Sequence, residues 1–295
     1  MLFGVRKTKR NTDAFYALLF LFPVFVLIVA VTLIPIVSAI RTSFYATQYA
    51  QIKQFIGLEN YKQIIGTPEG RSSIRISIVY VLGSLALVMP LGVIIGTLLN
   101  KKIALRGIFR TFIVIPWVLS QTVTALLWKW ILNGNYGPVS YIHMLITGNK
   151  LDVFSDAAQS MFIVIIANVW NTLPVVIILT LAALQSIPKE IYEAAMIDGV
   201  PALKTYTAIT LPMIKSTLIT ALVMQSMEYF NMVTLIYVLT AGGPLNATQT
   251  LSVATFRNGF DFWHLGVASS YSVIIFLLNI AFSLGYIRLL SKRDN

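Results

Sequence analysis

The chain has 295 residues, 57% of them hydrophobic and only 11% charged, with a mean hydropathy of +0.79 and a formal net charge of +11. Soluble domains carry about 25% charged residues, so a chain this apolar has lipid as its solvent, and the absence of cysteine excludes disulfides, thiolate metal sites and thiol nucleophiles. The basic residues gather at the ends of apolar stretches and form no stripe with interleaved aromatics, which argues against nucleic acid. His143 and His264 each lack a second histidine or carboxylate at ligand spacing, so no metal is expected.

Crossing the hydrocarbon core takes about 20 apolar residues in a helix. Six segments reach that length, approximately 14–40, 76–99, 108–132, 160–185, 214–239 and 266–290. The first is too long for a signal peptide and has no small-residue cleavage site, so it is expected to be retained. Pro23, Pro35, Pro90, Pro116 and Pro174 fall inside spans, where neighbouring helices must satisfy the freed carbonyls. Arg6, Lys7, Lys9 and Arg10 precede span one; Lys101, Lys102, Arg106 and Arg110 flank the second-to-third connection. Lys189, Lys204 and Lys215 lie in or beside the fourth-to-fifth connection, and Arg288, Lys292 and Arg293 end the chain. The positive-inside rule then places both termini and the 187–213 loop in the cytoplasm, with the connections near 42–74, 133–159 and 240–264 outside. The expected organisation is an N-terminal tail over 1–13, one six-helix domain over 14–290 and a C-terminal tail over 291–295.

In span four, Asn168, Asn171, Thr172 and Val175 follow i, i+3, i+4, i+7 and share a helix face; in span five, Gln225, Glu228, Tyr229 and Met232 repeat the spacing. Amides opposite a carboxylate and a phenol suit a hydroxylated solute, and the bland alternative is hydrogen bonding between helices. Glu228 is the one carboxylate deep in a span, where an unpaired ionised group costs at least about 2.5 kcal/mol. It serves either as an acceptor for solute hydroxyls or as a structural partner of Lys129 or of another chain.

The segment from Glu193 to Pro212, EAAMIDGVPALKTYTAITLP, is too polar for lipid and too long for a tight turn. Ser186 and Pro188 suit a helix start, and Gly199 suits its stop. A second short helix is expected across 202–208 before Leu211-Pro212. The pair is either an amphipathic element resting in headgroups or a docking element for a soluble partner.

The same segment resembles the EAA signature of permease subunits in ATP-binding-cassette (ABC) importers. Glu193, Ala194, Ala195, Gly199, Ile209, Leu211 and Pro212 stand at every fixed position. FIGLENYKQII (55–65), LQSIPKEIYEAAMIDG (184–199) and YVLTAGGPLNATQTL (237–251) are similar to the carbohydrate branch, the maltose and glycerol-phosphate permeases. The resemblance implies an all-α, type I importer permease fold that moves a sugar or oligosaccharide by alternating access across a bacterial or archaeal cytoplasmic membrane. It implies that Glu193, Ala194, Ala195, Asp198 and Gly199 couple to an ATPase, and that the eight polar-face positions of spans four and five line the solute site. It also implies a second homologous permease subunit, two ATPase copies and an extracytoplasmic solute-binding protein, for which the outer loop 242–249 of this chain would be a docking loop. ATP and Mg belong to the ATPase, because this chain has no phosphate-cradling G-x-x-x-x-G-K-[ST] stretch, no catalytic triad and no cofactor motif. A self-contained secondary carrier or channel for a small polar solute is the alternative, and it leaves the 187–213 loop without a purpose.

Overall fold

The computed structural model describes residues 16, 18–49, 51–101 and 106–291. The expected tail over 1–13 lies outside the described residues, as does 292–295. In chain order the elements are α1 (Leu18–Thr42), the strands β1 (Tyr45–Gln48) and β2 (Gln51–Phe55), α2 (Glu59–Gly66), α3 (Pro68–Asn100), α4 (Arg106–Val118) and α5 (Gln121–Ile131). Then come α6 (Pro138–Thr147), α7 (Ala157–Gln185), α8 (Lys189–Ile197), α9 (Ala202–Phe230), α10 (Thr234–Thr240), α11 (Leu251–Phe256) and α12 (Leu265–Ser291). Among the described residues, α1, α3, α7, α9 and α12 are each long and apolar enough to cross a membrane, and α4 with α5, bent by 98°, reaches that length only as a pair, in the form of a sixth, broken span or of a re-entrant loop. Among the described residues the one sheet is an antiparallel hairpin pairing Tyr45 with Phe55 and Gln48 with Gln51.

The centre of the molecule is α7. Its neighbour α3 runs parallel to it, and the close approach depends on Gly92 and Gly96, one helical turn apart. A Cβ on Gly92 would overlap the Val176 side chain, and one on Gly96 would come within 2.9 Å of Thr180. Small residues at i, i+4 let helices meet in lipid, where dispersion and not the hydrophobic effect holds them together. Gly92→Ala is therefore expected to destabilise the assembled protein by about 1–3 kcal/mol through overpacking. A thermal-unfolding midpoint in detergent should fall, while Gly285→Ala, where nothing lies within 4 Å of the added carbon, should leave it unchanged.

Three boundaries differ from the hydropathy reading. The expected span 108–132 is broken at Leu119–Ser120, where Ser120 turns extended and its Oγ accepts from Val123 N–H at 3.3 Å to start α5. The span expected over 214–239 ends at Phe230, and Thr234–Thr240 is a separate helix packed on α5. Hydropathy sums apolar character along the chain and carries no signal for a change of direction. The second short helix expected over 202–208 is not separate: the chain passes through a π-helical turn at Tyr206–Thr210 directly into span five. Pro212 lacks an N–H and crowds the preceding turn, and the π turn just before it accommodates both effects. The apolar window of span one is wholly unburied within the chain, with Phe20 77% exposed, while its last turns, Ile34–Thr42, pack on α12.

Candidate functional site

The expected solute residues separate into an interior group and an exposed one. Asn168, Asn171, Thr172, Gln225, Tyr229 and Met232 are buried inside the chain, Val175 is half-buried, and Glu228 is exposed. Thr172 Oγ1 donates to the Asn168 carbonyl at 2.8 Å and shares a 2.6 Å bond with the Tyr229 hydroxyl; Gln225 Nε2 donates to the Thr172 carbonyl at 3.3 Å. Both polar atoms of the Asn168 side chain, the Tyr80 hydroxyl and the Ser84 hydroxyl are buried with no hydrogen-bond partner among the described residues. This polar seam joins α7 to α9, with Tyr80 and Ser84 of α3 at its side.

Asn171 has a different task. Its Nδ2 donates to the Pro116 carbonyl at 2.7 Å, the Leu119 carbonyl at 3.4 Å and Thr124 Oγ1 at 3.1 Å. These groups flank the 98° break in span three, so Asn171 supplies the donor that backbone turning through lipid depth would otherwise lack. Asn171→Ala is expected to destabilise the protein by about 1–3 kcal/mol, the penalty for a buried acceptor left unpaired. The drop should appear as a lower midpoint of thermal aggregation in detergent, and an unchanged midpoint would remove the pinning role.

On α9, Gln225 and Tyr229 share one arc, with Met232 just past the helix end, and Glu228 lies about 60° round from Gln225, at the edge of a second arc. That second face exposes Ser216, Thr220, Met224, Glu228 and Asn231. It continues into a groove of about 380 Å³ against α12, lined by Met227, Asn231, Ser272, Asn279 and Ser283. Asn279 Oδ1 is buried there without a hydrogen-bond partner. A face with a carboxylate, two amides and several hydroxyls does not sit against acyl chains. Its signal was present in the sequence as 216, 220, 224, 228, an i+4 series one notch from the face first chosen. Lys129 does not pair with Glu228; its ammonium donates to the Val238 carbonyl at 3.5 Å, and the one ion pair among the described residues is Lys62–Glu59.

At the opposite end of α9, α8 closes on a two-bond C-terminal turn. Val200 N–H donates to the Ala195 carbonyl and Gly199 N–H to the Met196 carbonyl, with Gly199 at φ +67°. The inner side of α8 is fixed: Ala195 is buried, Ile191 and Tyr192 pack on Ile187, Ile214 and the end of α7, and the Tyr192 hydroxyl meets Thr210 Oγ1 at 3.2 Å. The outer side exposes Glu193, Ala194, Asp198 and Gly199 together with Met196, Ile197 and Leu203, the last three 70%, 86% and 76% exposed. Those three apolar side chains stand at none of the fixed signature positions, so the motif alone does not reveal them. Tyr206 ties the start of α9 to the end of α3 through Thr97 Oγ1 at 3.2 Å.

Comparison with known proteins adds three observations. Residues 88–293 match a family model described as the binding-protein-dependent transport system inner membrane component. The trehalose/maltose transport system permease protein MalF of Thermococcus litoralis is 30% identical over 271 residues, covering 92% of both chains. The sulfoquinovosyl glycerol transport system permease protein SmoG of Agrobacterium fabrum is 27% identical over 288 residues, 96% of this chain and 92% of the relative. In fold, a chain of a bacterial alginate ABC transporter crystallised with an alginate-bound periplasmic protein superposes with a TM-score of 0.82 at 20% identity, covering 96% of each chain.

Proposed function

This chain belongs to the binding-protein-dependent transport system inner membrane components, the multi-pass permease subunits of ABC importers, and from that premise we propose that it forms half of a sugar pathway driven by a partner ATPase. The observation that carries the reading is the continuity of α9. One helix begins at the exposed coupling turn beside Gly199 and ends at the polar face of Glu228 and Asn231. Its 29 residues span about 43 Å at 1.5 Å per residue, so a displacement passed from α8 through the Gly199 turn to the start of α9 is carried along that helix to the solute face.

The ATPase cleft receives the outer side of α8, where Met196 and Ile197 add apolar area around the signature residues. The pathway runs along the exposed face of α9, closed on its far side by the second permease. Glu228 and Asn231 accept and donate hydrogen bonds to hydroxyls there. Asn168, Thr172, Gln225, Tyr229 and Val175 stand behind that face as the wall that shapes it, and opening of the α7–α9 seam in another state of the cycle would bring them to the solute. Both termini and α8 lie in the cytoplasm, the hairpin and the 242–249 loop outside. A sugar-type solute fits a face that sets one carboxylate acceptor among amides and hydroxyls, and the relatives above are named for trehalose, maltose and sulfoquinovosyl glycerol.

The test is reconstitution. Proteoliposomes holding the co-purified ATPase, the second permease and the binding protein should take up labelled trehalose or maltose only with internal Mg-ATP. Uptake that runs on an ion gradient without any ATPase would establish the carrier alternative instead.

A further inference from the structure

We propose that the end of the bundle opposite α8 carries a second solute site, which takes a neutral polyhydroxylated ligand such as a sugar. It rests on the sugar reading above and is a cavity separate from the α9 groove at the same end of the bundle, where Tyr271 of its lining is next in sequence to Ser272 of that groove. Glu69 opens α3, and α3 runs 33 residues before it meets the base of α9 at Thr97 and Tyr206. A cavity of about 300 Å³ sits at that far end, lined by Glu69, Gln249, Arg257, Asn258, Phe262 and Tyr271. The residues come from four separate segments, so the tertiary fold alone assembles them.

The guanidinium is held in place before any ligand arrives. Arg257 Nη1 donates to Gln249 Oε1 at 2.6 Å and to Asn246 Oδ1 at 3.2 Å, and the guanidinium carbon lies 5.6 Å from the Phe262 ring centroid. The remaining guanidinium N–H groups are available to hydroxyl oxygens. Glu69 is exposed at the cavity and forms neither a hydrogen bond nor an ion pair among the described residues, so its carboxylate can accept from hydroxyl protons. One cation and one anion that do not neutralise each other suit a ligand of zero net charge with paired hydroxyls. Phe262, 50% exposed, offers a ring on which the C–H face of a sugar packs, with the buried Tyr271 behind it closing the cavity wall.

The backbone around the cavity is unusual in the same place. Arg257 and Asn258 lie in a π-helical turn, Arg257–Asp261, and such turns recur at functional sites. Leu245, Asn246 and Trp263 hold φ values of +47°, +64° and +57°. A non-glycine residue in that region costs of order 1–3 kcal/mol, and three of them bracket the segment that presents Gln249, Arg257 and Asn258.

Hydrogen–deuterium exchange on the assembled transporter in nanodiscs, without the binding protein, tests the site. Trehalose or maltose at millimolar concentration should slow exchange across 245–263 by about threefold or more, and sn-glycerol 3-phosphate should not. Arg257→Ala and Glu69→Ala should each abolish that protection. Glu69→Ala removes an exposed side chain without a hydrogen bond, so its effect cannot be assigned to collapse of the loop. Absence of protection by both sugars, protection that survives both substitutions, or protection by sn-glycerol 3-phosphate in their place would each overturn the proposal. Uptake measured in parallel separates it from the sugar-import reading: cavity-dependent protection without uptake keeps this site and removes that reading, whereas uptake without protection does the reverse.

Discussion

Gly199→Asp is expected to leave the protein inserted and folded while lowering solute uptake per ATP hydrolysed at least about tenfold, the effect of losing roughly 1.4 kcal/mol of coupling. The reasoning starts from what surrounds the residue. A Cβ at Gly199 meets nothing within 4 Å in this chain, so the substitution creates no internal clash. The φ of +67° costs an L-residue about 1–2 kcal/mol, and aspartate is among the residues that tolerate that region best. The new carboxylate would instead project from the exposed turn between Met196, Ile197 and Leu203, where the ATPase is proposed to close over α8. Burying an unpaired charge in such a contact is costly. The measurement is uptake and ATP hydrolysis in the same proteoliposomes. Unchanged stoichiometry would remove α8 as the coupling element. Gly199→Asn serves as the control, because it shares the backbone strain without the charge and should retain most of the coupling.

Glu228→Ala should reduce uptake about tenfold or more at subsaturating solute, which corresponds to losing one charge-assisted hydrogen bond worth about 1.5–3 kcal/mol. Assembly should not suffer: the side chain is exposed and has no ion-pair partner among the described residues. Glu228→Gln, which keeps an acceptor oxygen, should fall between wild type and alanine. The discriminating readout is complex yield by size exclusion beside uptake. A loss of assembled complex matching the loss of uptake would make Glu228 a contact to the second permease and not to solute.

Much of this architecture was legible from local pattern. Apolar length located the spans, because a backbone in lipid must satisfy its own hydrogen bonds and only a helix of about 20 residues does so across the membrane. The break at Gly199 followed from a residue type that alone adopts a left-handed turn cheaply. Asn171 was harder. Its spacing with Asn168 and Thr172 placed it on a polar face, yet its partners Pro116 and Leu119 lie 55 and 52 positions away, and no local pattern announces a bend that a distant amide sustains. Glu228 was singled out for its charge, while its outward direction depends on which arc of α9 packs against α7.

What the sequence determined by itself was solvent, the long apolar spans and the helix stop at Gly199, since each is set by interactions within one segment or between that segment and lipid. The tertiary structure decided which polar residues are structural and which are free. Burial of a side chain on a helix depends on which face the neighbouring helices take, and that choice rests on small-residue contacts such as Gly92 and Gly96 against Val176 and Thr180. In lipid these dispersion contacts replace hydrophobic burial as the ordering force, and they belong to pairs of helices that lie far apart along the chain.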